Sequence, residues 1–334
     1  MKASLVISCL CSVKNSGGYV VKAFSSSPQP WRGHFQNVRG SKSKTLNQID
    51  LVTFDLDNTL FPVDQVIQDA NRAMLRAMMR VGATDASLER FTASMKRIRS
   101  TAVTQQPASQ QAMPISYSEL RLCAIEMELE RCLPPVCSID PLCQTVFDAW
   151  LQERHASAER HIFPFAIEAL QQIRETCPNV IIGAITNGRG SPLYMHNTLQ
   201  PYFDFSVSGE DHDVFPHRKP HPRIFEVSLE RASAIRRNPV LPSVNYFELL
   251  KSRWIHVGDD LTNDVGASAA CGARAIWITT SVEESSKTPF WSTASEEETQ
   301  KRRAGAQEAM RFVDARISCL SELCDAISSL QVGP

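Results

Sequence analysis

Short apolar runs and stretches of helical period alternate along most of the chain. The runs are Leu51–Phe54, Val180–Ile185, Phe205–Val207, Trp254–Val257 and Ala275–Ile278. Apolar residues spaced three and four apart mark helices at Ala166–Glu175, Ile224–Ala234 and Asp264–Cys271. Strands that read as unbroken apolar runs, each followed by a helix, predict an α/β fold: a Rossmann-like, doubly wound parallel sheet covered on both faces. Ligands of such sheets bind where the strands run out at their carboxyl ends, so the chemistry is expected there.

One long interruption separates the first run from the second. From Val63 to His161 the period is helical throughout, with Val66, Ala70, Ala73, Ala77 and Val81 on one stripe and Leu88, Phe91, Met95 and Ile98 on the next. Ser116-x-x-Glu119 has the form of a capping box that opens a third helix. Pro141, in a first-turn position, opens a fourth that carries Val146 and Trp150. Residues 63–161 are therefore expected to be a small helical bundle, a cap, inserted into a core made of 50–62 and 162–334. Met74, Met78, Met79 and Met95 read as its core, and Thr101–Met113, rich in Gln and Ser, as a mobile loop. Arg236–Lys251 and Ser281–Arg311 look inserted as well, and Ile317–Leu330 resumes a helical period.

Charge changes the picture at the start of the chain. The net charge of −1 over 334 residues is an average of unlike parts. Residues 1–49 hold five Lys, two Arg, nine Ser and no acid, a balance of +7, whereas the rest carries −8. A basic, Ser-rich, acid-free leader has the composition of an organelle transit peptide, plastid before mitochondrion; a cytoplasmic protein with a basic tail is the alternative. The acidic remainder has no footprint for nucleic acid, and no apolar run reaches the length of a membrane span. The ten Cys form no CxxC pair, which argues against a zinc site or a disulfide framework.

Four polar groups follow the apolar runs in order: Asp55-x-Asp57-x-Thr59, Thr186-Asn187-Gly188, Lys219-Pro220, and Gly258-Asp259-Asp260 with Asp264. Each alone has a bland reading as a turn, a solvated lysine or a helix cap. Together, each at the end of a strand, they form a site. The set resembles the haloacid dehalogenase superfamily of hydrolases, in the subgroup with a helical cap after the first motif. The resemblance runs from about Asp50 to Ile278. Where most relatives have Pro-Gly before the helix at Ala166, this chain has Pro164-Phe165.

The resemblance implies a nucleophile at Asp55, an acid–base carboxylate at Asp57, and phosphoryl contacts from Thr186, Lys219 and the backbone around Asn187 and Gly188. It implies a Mg²⁺ site made by Asp55, the Asp57 carbonyl, Asp259 and Asp264. Thr59 reads as steadying the loop after the strand, and Asp260 as the cap of the following helix. The charges agree: four carboxylates against one lysine leave a deficit that a hard divalent cation offsets. The expected reaction is hydrolysis of a small phosphorylated metabolite (a sugar phosphate, phosphoglycolate or nucleotide) through an aspartyl-phosphate. A carbon–halogen hydrolase or a phosphomutase on the same fold is the alternative, and a non-catalytic binding protein a further one. Asp57 argues against the dehalogenase, whose halide needs no proton. Two minor features read as bland: His212, His217 and His221 as loop residues, and Arg72, Arg76, Arg80, Arg97 and Arg99 as a solvated helix face. A monomer or homodimer is expected.

Overall fold

The computed structural model describes residues 49–104, 115–236, 246–279 and 296–331. Residues 1–48 of the leader and most of the loop expected before Met113 lie outside the described residues. Within them, six strands form one parallel sheet: β1 (Leu51–Phe54), β2 (Ile181–Thr186), β3 (Phe205–Ser208), β4 (Trp254–Gly258), β5 (Arg274–Ile278) and β6 (Val313–Ile317). Their spatial order is β3-β2-β1-β4-β5-β6. Every residue of β1, β2 and β4 is buried, as a sheet covered on both faces requires. The chain fills the sheet outward from β1 on one side, then crosses to β4 on the other. The crevice between the ends of β1 and β4 is thus the switch point of the topology. Register brings Phe54 beside Val257, and the Asp55 N–H donates to the Val257 carbonyl at 2.9 Å.

The inserted segment after β1 forms four helices among the described residues, α1 (Val63–Arg80), α2 (Leu88–Thr104), α3 (Tyr117–Cys132) and α4 (Ile139–Arg160). They share a core that includes Met74, Met78, Phe91, Leu120, Ile125, Val146 and Trp150. The Ser116 capping box is formed in both directions. The sheet is covered by α5 (Ala166–Thr176), α6 (Pro222–Arg236), α7 (Tyr246–Ser252), α8 (Ala267–Ala270), α9 (Glu296–Ala309) and α10 (Leu323–Gln331). One face packs Val52, Phe54 and Ile182 against Leu170 and Leu323; the other packs Leu51, Ile185 and Trp254 against Phe225.

Several sequence expectations need correcting. Ile317 ends strand β6 rather than opening a helix, and the last helix begins at Leu323. The stretch Asp264–Cys271 starts earlier and differently: a π-helical turn over Leu261–Gly266 runs into α8. Thr101–Thr104 belongs to α2 instead of the loop. Met79 is 44% exposed, off the apolar stripe that buries Met74 and Met78. Ile49, counted with the leader, is buried in the core. Phe165, which the family resemblance set against a glycine, adopts φ 67° at the start of α5, a left-handed conformation that costs a non-glycine residue roughly 1–2 kcal/mol. Phe165 is half-exposed.

Candidate active site

Asp55 is the first residue past β1, and the chain turns sharply beyond it. Asn58 takes φ 63°, its N–H donates to the Phe61 carbonyl at 2.8 Å, and its side chain accepts from Val63 N–H at 3.1 Å at the start of α1. This turn folds Asp57 back beside Asp55, and the Thr59 hydroxyl reaches Asp55 Oδ2 at 3.4 Å. The return crossing from α4 is tied to the outgoing one where Phe163 N–H donates to the Leu60 carbonyl at 2.8 Å.

Lys219 enters from the loop between β3 and α6. Its buried ammonium donates to Asp55 Oδ1 at 2.5 Å, to Asp264 Oδ1 at 2.7 Å and to the Ile185 carbonyl at 2.8 Å. Asn187 fixes that loop from β2: its amide oxygen accepts from Lys219 N–H at 2.8 Å and its amide nitrogen donates to the Lys219 carbonyl at 3.1 Å. The role of the Asn187 side chain here is therefore to aim the lysine. Thr186 is fully buried, and its hydroxyl accepts from Gly188 N–H at 3.3 Å.

The fourth group follows β4. Asp260 accepts from Thr262 and Asn263 N–H, each at 2.9 Å, as the cap of the π-helical turn. Its own N–H donates to Asp264 Oδ2 at 3.0 Å, locking that carboxylate beside Lys219. Behind Asp264 lies a buried line of polar groups in the sheet: Trp254 donates to Thr53 at 2.7 Å, and the Thr53 hydroxyl meets His256 Nδ1 at 2.8 Å.

The carboxylates of Asp55, Asp259 and Asp264 bring oxygens within 4.8 Å of one another. Burial pushes Asp55 up to about 7, Asp264 and Asp57 adding to the rise and Lys219 opposing it. Asp259 is pushed up by burial, then by Asp264 and Asp55. Asp264 differs: burial works to raise it, but Lys219 overrides this and holds it down to about 2. One lysine thus neutralises one of three carboxylates fully, and the other two demand a proton or a further cation. The oxygen-only donor set and the charge deficit fit a hard divalent cation.

A family model for haloacid dehalogenase-like hydrolases matches residues 49–272. This chain belongs to that family. A relative of the hydrolase from Escherichia coli (strain K12), the 5-amino-6-(5-phospho-D-ribitylamino)uracil phosphatase YigB, is 27% identical over 249 residues, 70% of this chain and 85% of the relative. The solved 2-haloacid dehalogenase of Pseudomonas syringae pv. Tomato DC3000 superposes with a TM-score of 0.57 at 24% identity, over 84% of this chain and 99% of the other, and shows the shared fold.

The haloacid dehalogenase-like site also uses residues that the sequence motifs did not mark. Arg154 of α4 donates through Nη2 to both oxygens of Asp57, at 2.9 and 3.0 Å. Glu210, after β3, accepts from Tyr117 and Ser118 N–H at 3.0 and 2.9 Å and also pairs with Arg218, whose guanidinium lies 3.7 Å over the Tyr117 ring. These contacts hold the inserted helices down on the strand ends. Of the five arginines singled out from the sequence, Arg72, Arg76, Arg80 and Arg97 face water, and half-buried Arg99 lies 5.8 Å over the Tyr117 ring. A usable signal existed for Arg154. It stands four residues after Trp150 and eight after Val146, a cation on an apolar stripe. His217 and His221 stack on each other at 4.3 Å, outside the carboxylate cluster.

Gly258 supplies a direct check on Asp264. A Cβ at this position would lie 2.5 Å from the Cβ, Cγ and Oδ2 atoms of Asp264. Gly258→Ala is expected to dislodge that carboxylate, costing about 1–3 kcal/mol of stability. A displacement of this kind lowers turnover by roughly a hundredfold. Thermal melts and initial rates measure both, and unchanged turnover would show that Asp264 needs no such close fit.

Proposed function

We propose that this hydrolase is a Mg²⁺-dependent phosphomonoesterase that acts on a small phosphorylated metabolite through an aspartyl-phosphate on Asp55. The observation that carries the reading is a second carboxylate, Asp57, whose charge reaches Asp55 and which sits under the helical cap. Displacing halide from carbon needs no proton donor, whereas an ester oxygen leaves well only with a proton. The phosphatase activity of the Escherichia coli relative supports the same reaction class.

In this mechanism an Asp55 oxygen attacks phosphorus, the bond from phosphorus to the ester oxygen breaks, and Asp57 gives that oxygen its proton. Asp57 then takes a proton from water as the water attacks phosphorus, releasing inorganic phosphate and restoring the Asp55 carboxylate. Arg154 occupies both Asp57 oxygens in this state, so an arriving ester oxygen displaces one of those bonds. Lys219 and Thr186 hold the phosphoryl oxygens as charge redistributes, with the backbone N–H groups near Asn187 and Gly188. Asp55, Asp259, Asp264 and the Asp57 carbonyl would hold the metal. When bound, Mg²⁺ supplies the positive charge that lets an anionic nucleophile meet an anionic phosphoryl group. The inserted helices act as the cap that excludes water and selects the leaving group. The composition of the leader supports delivery to an organelle, and we retain a monomer or homodimer as the expected state.

The test is hydrolysis of para-nitrophenyl phosphate by the purified protein. EDTA is expected to lower turnover by about a hundredfold or more, with recovery on adding Mg²⁺. Because protons compete for Asp55, which stands at about 7, more Mg²⁺ should be needed for half-saturation as pH falls below that value. Metal-independent release of halide from 2-haloacids, without phosphate release from any ester, would overturn the reading.

A further inference from the structure

The inserted helices bury more positive charge near the site than the described residues around it neutralise. Arg154 is 3% exposed; its Nη2 serves Asp57, and its Nε has no hydrogen-bond partner. Arg121 of α3 is 9% exposed, and the acceptor its guanidinium finds is the Met95 sulfur, at 3.7 Å. Both guanidiniums face the same indole: Arg121 Cζ lies 3.9 Å from the Trp150 ring centre and Arg154 Cζ lies 6.0 Å from it. Phe91 completes an aromatic seat for Arg121 at 5.7 Å. The carboxylate whose charge favours the Arg121 cation is Glu210, which is committed to Arg218 and to two backbone N–H groups of α3.

A buried guanidinium ordinarily carries a carboxylate or phosphate, because its five donors and its charge are costly to desolvate unpaired. Aromatic faces compensate the charge in part, and a thioether is a weak acceptor. Burial, and then the charge of Arg154, hold Arg121 down to about 9. The loop after β2 comes close against Arg154 through two glycines. A Cβ at Gly190 would stand 3.1 Å from Arg154 Nη2, and one at Gly188 would stand 3.3 Å from it.

We propose that Arg121 and Arg154, sharing the Trp150 ring, form a subsite for a second anionic group, carboxylate or phosphate, on the alcohol side of the phosphomonoester. The inference rests on the phosphatase reading for the position of the first phosphate. Its direction follows from Arg154, which ties the subsite to Asp57, the group assigned to the leaving oxygen. Substrates with a neutral alcohol portion would leave Arg121 without an anion, and those with a second charge would satisfy it.

Matched pairs test this. 3-Phosphoglycerate differs from glycerol 3-phosphate by a carboxylate in place of a hydroxymethyl group, and fructose 1,6-bisphosphate differs from fructose 6-phosphate by one phosphate. The full chain is expected to prefer the charged member of at least one pair by about tenfold or more in kcat/KM, the scale of one charge-assisted hydrogen bond. Arg121→Met should collapse that ratio towards one through KM, while Arg121→Lys retains part of it. A ratio near one in both pairs, or a ratio that Arg121→Met leaves intact, overturns the subsite. If the Met variant does not fold, Arg121→Gln takes its place. Calorimetry on the Asp55→Asn chain repeats the comparison without catalysis. A binding preference that depends on Arg121, in a protein that hydrolyses none of the four esters, upholds the subsite and refutes the phosphatase reading. Hydrolysis without preference refutes the subsite alone, and absence of preference in binding does so as well.

Discussion

Asp55→Asn is expected to lower phosphomonoester turnover by about 10⁴-fold or more while the protein remains folded. The size follows from the nucleophilic role proposed for Asp55, whose loss would disable a catalytic unit as a whole rather than by a fraction. Asparagine keeps the shape of the side chain and leaves Lys219 with Asp264 and the Ile185 carbonyl. It also removes a group whose charge the fold disfavours. The folded Asp55 stands at about 7 against an ordinary 3.8, raised by burial first and by Asp264 and Asp57 after it, so in metal-free protein its ionisation opposes folding. A carboxyl with a raised folded value contributes most at low pH and loses that contribution as pH climbs from about 4 to about 7. The metal-free variant should therefore melt above the metal-free parent, by a margin that grows across that window. Acid-quenched wild-type protein should carry a phosphoryl group during turnover, and the variant none. Activity above a tenth of wild type would place the nucleophile elsewhere.

The reading of the sequence succeeded where chemistry and local pattern coincide. Acidic residues at the end of Leu51–Phe54 and of Trp254–Val257 stand out because carboxylates are poor strand formers, and both sit at the switch between β1 and β4. Asp260 as a helix cap and Ser116 with Glu119 as a capping box are local hydrogen-bond patterns, so sequence carries them whole. Strand β6 was hidden for the opposite reason. Val313-Asp314-Ala315-Arg316-Ile317 lies at the sheet edge, where alternation with charge is tolerated, and Asp314 there binds Arg274 of β5 at 2.9 Å. Arg154 and Glu210 escaped because their partners lie far away in sequence, Asp57 at 97 positions and the start of α3 at 93. What a long-range pair leaves in the sequence is a misplaced charge. Arg121, four residues before Ile125 and next to Leu120, was such a charge on an apolar stripe.

Lys219→Met is expected to destabilise the metal-free protein by about 3–5 kcal/mol at pH 8, the usual cost of leaving buried carboxylates without their cation. The ammonium is the partner that both Asp55 and Asp264 share, at 2.5 and 2.7 Å, and all three groups are buried. The pH dependence separates this from a packing defect. In the wild type, burial tends to raise Asp264 and Lys219 overrides it, so the folded value of about 2 lies below the ordinary 3.8. That depressed value contributes stability above about 4, which is lost as pH falls through about 2. Without the lysine, burial is unopposed: Asp264 rises above its unfolded value, and Asp55, already raised, climbs further. The variant then loses stability as pH increases from about 4, while the wild-type contribution from Asp264 is complete. The deficit in melting temperature should consequently widen between pH 5 and pH 8. Mg²⁺ should narrow it at pH 8, because a divalent cation held by the same carboxylates replaces the missing charge. A deficit equal at both pH values and indifferent to Mg²⁺ would mean that Lys219 serves packing alone. Turnover should remain at least about a thousandfold down even when Mg²⁺ restores the fold, since the ammonium that orients Asp55, and that on the proposed mechanism holds the phosphoryl oxygens, is gone.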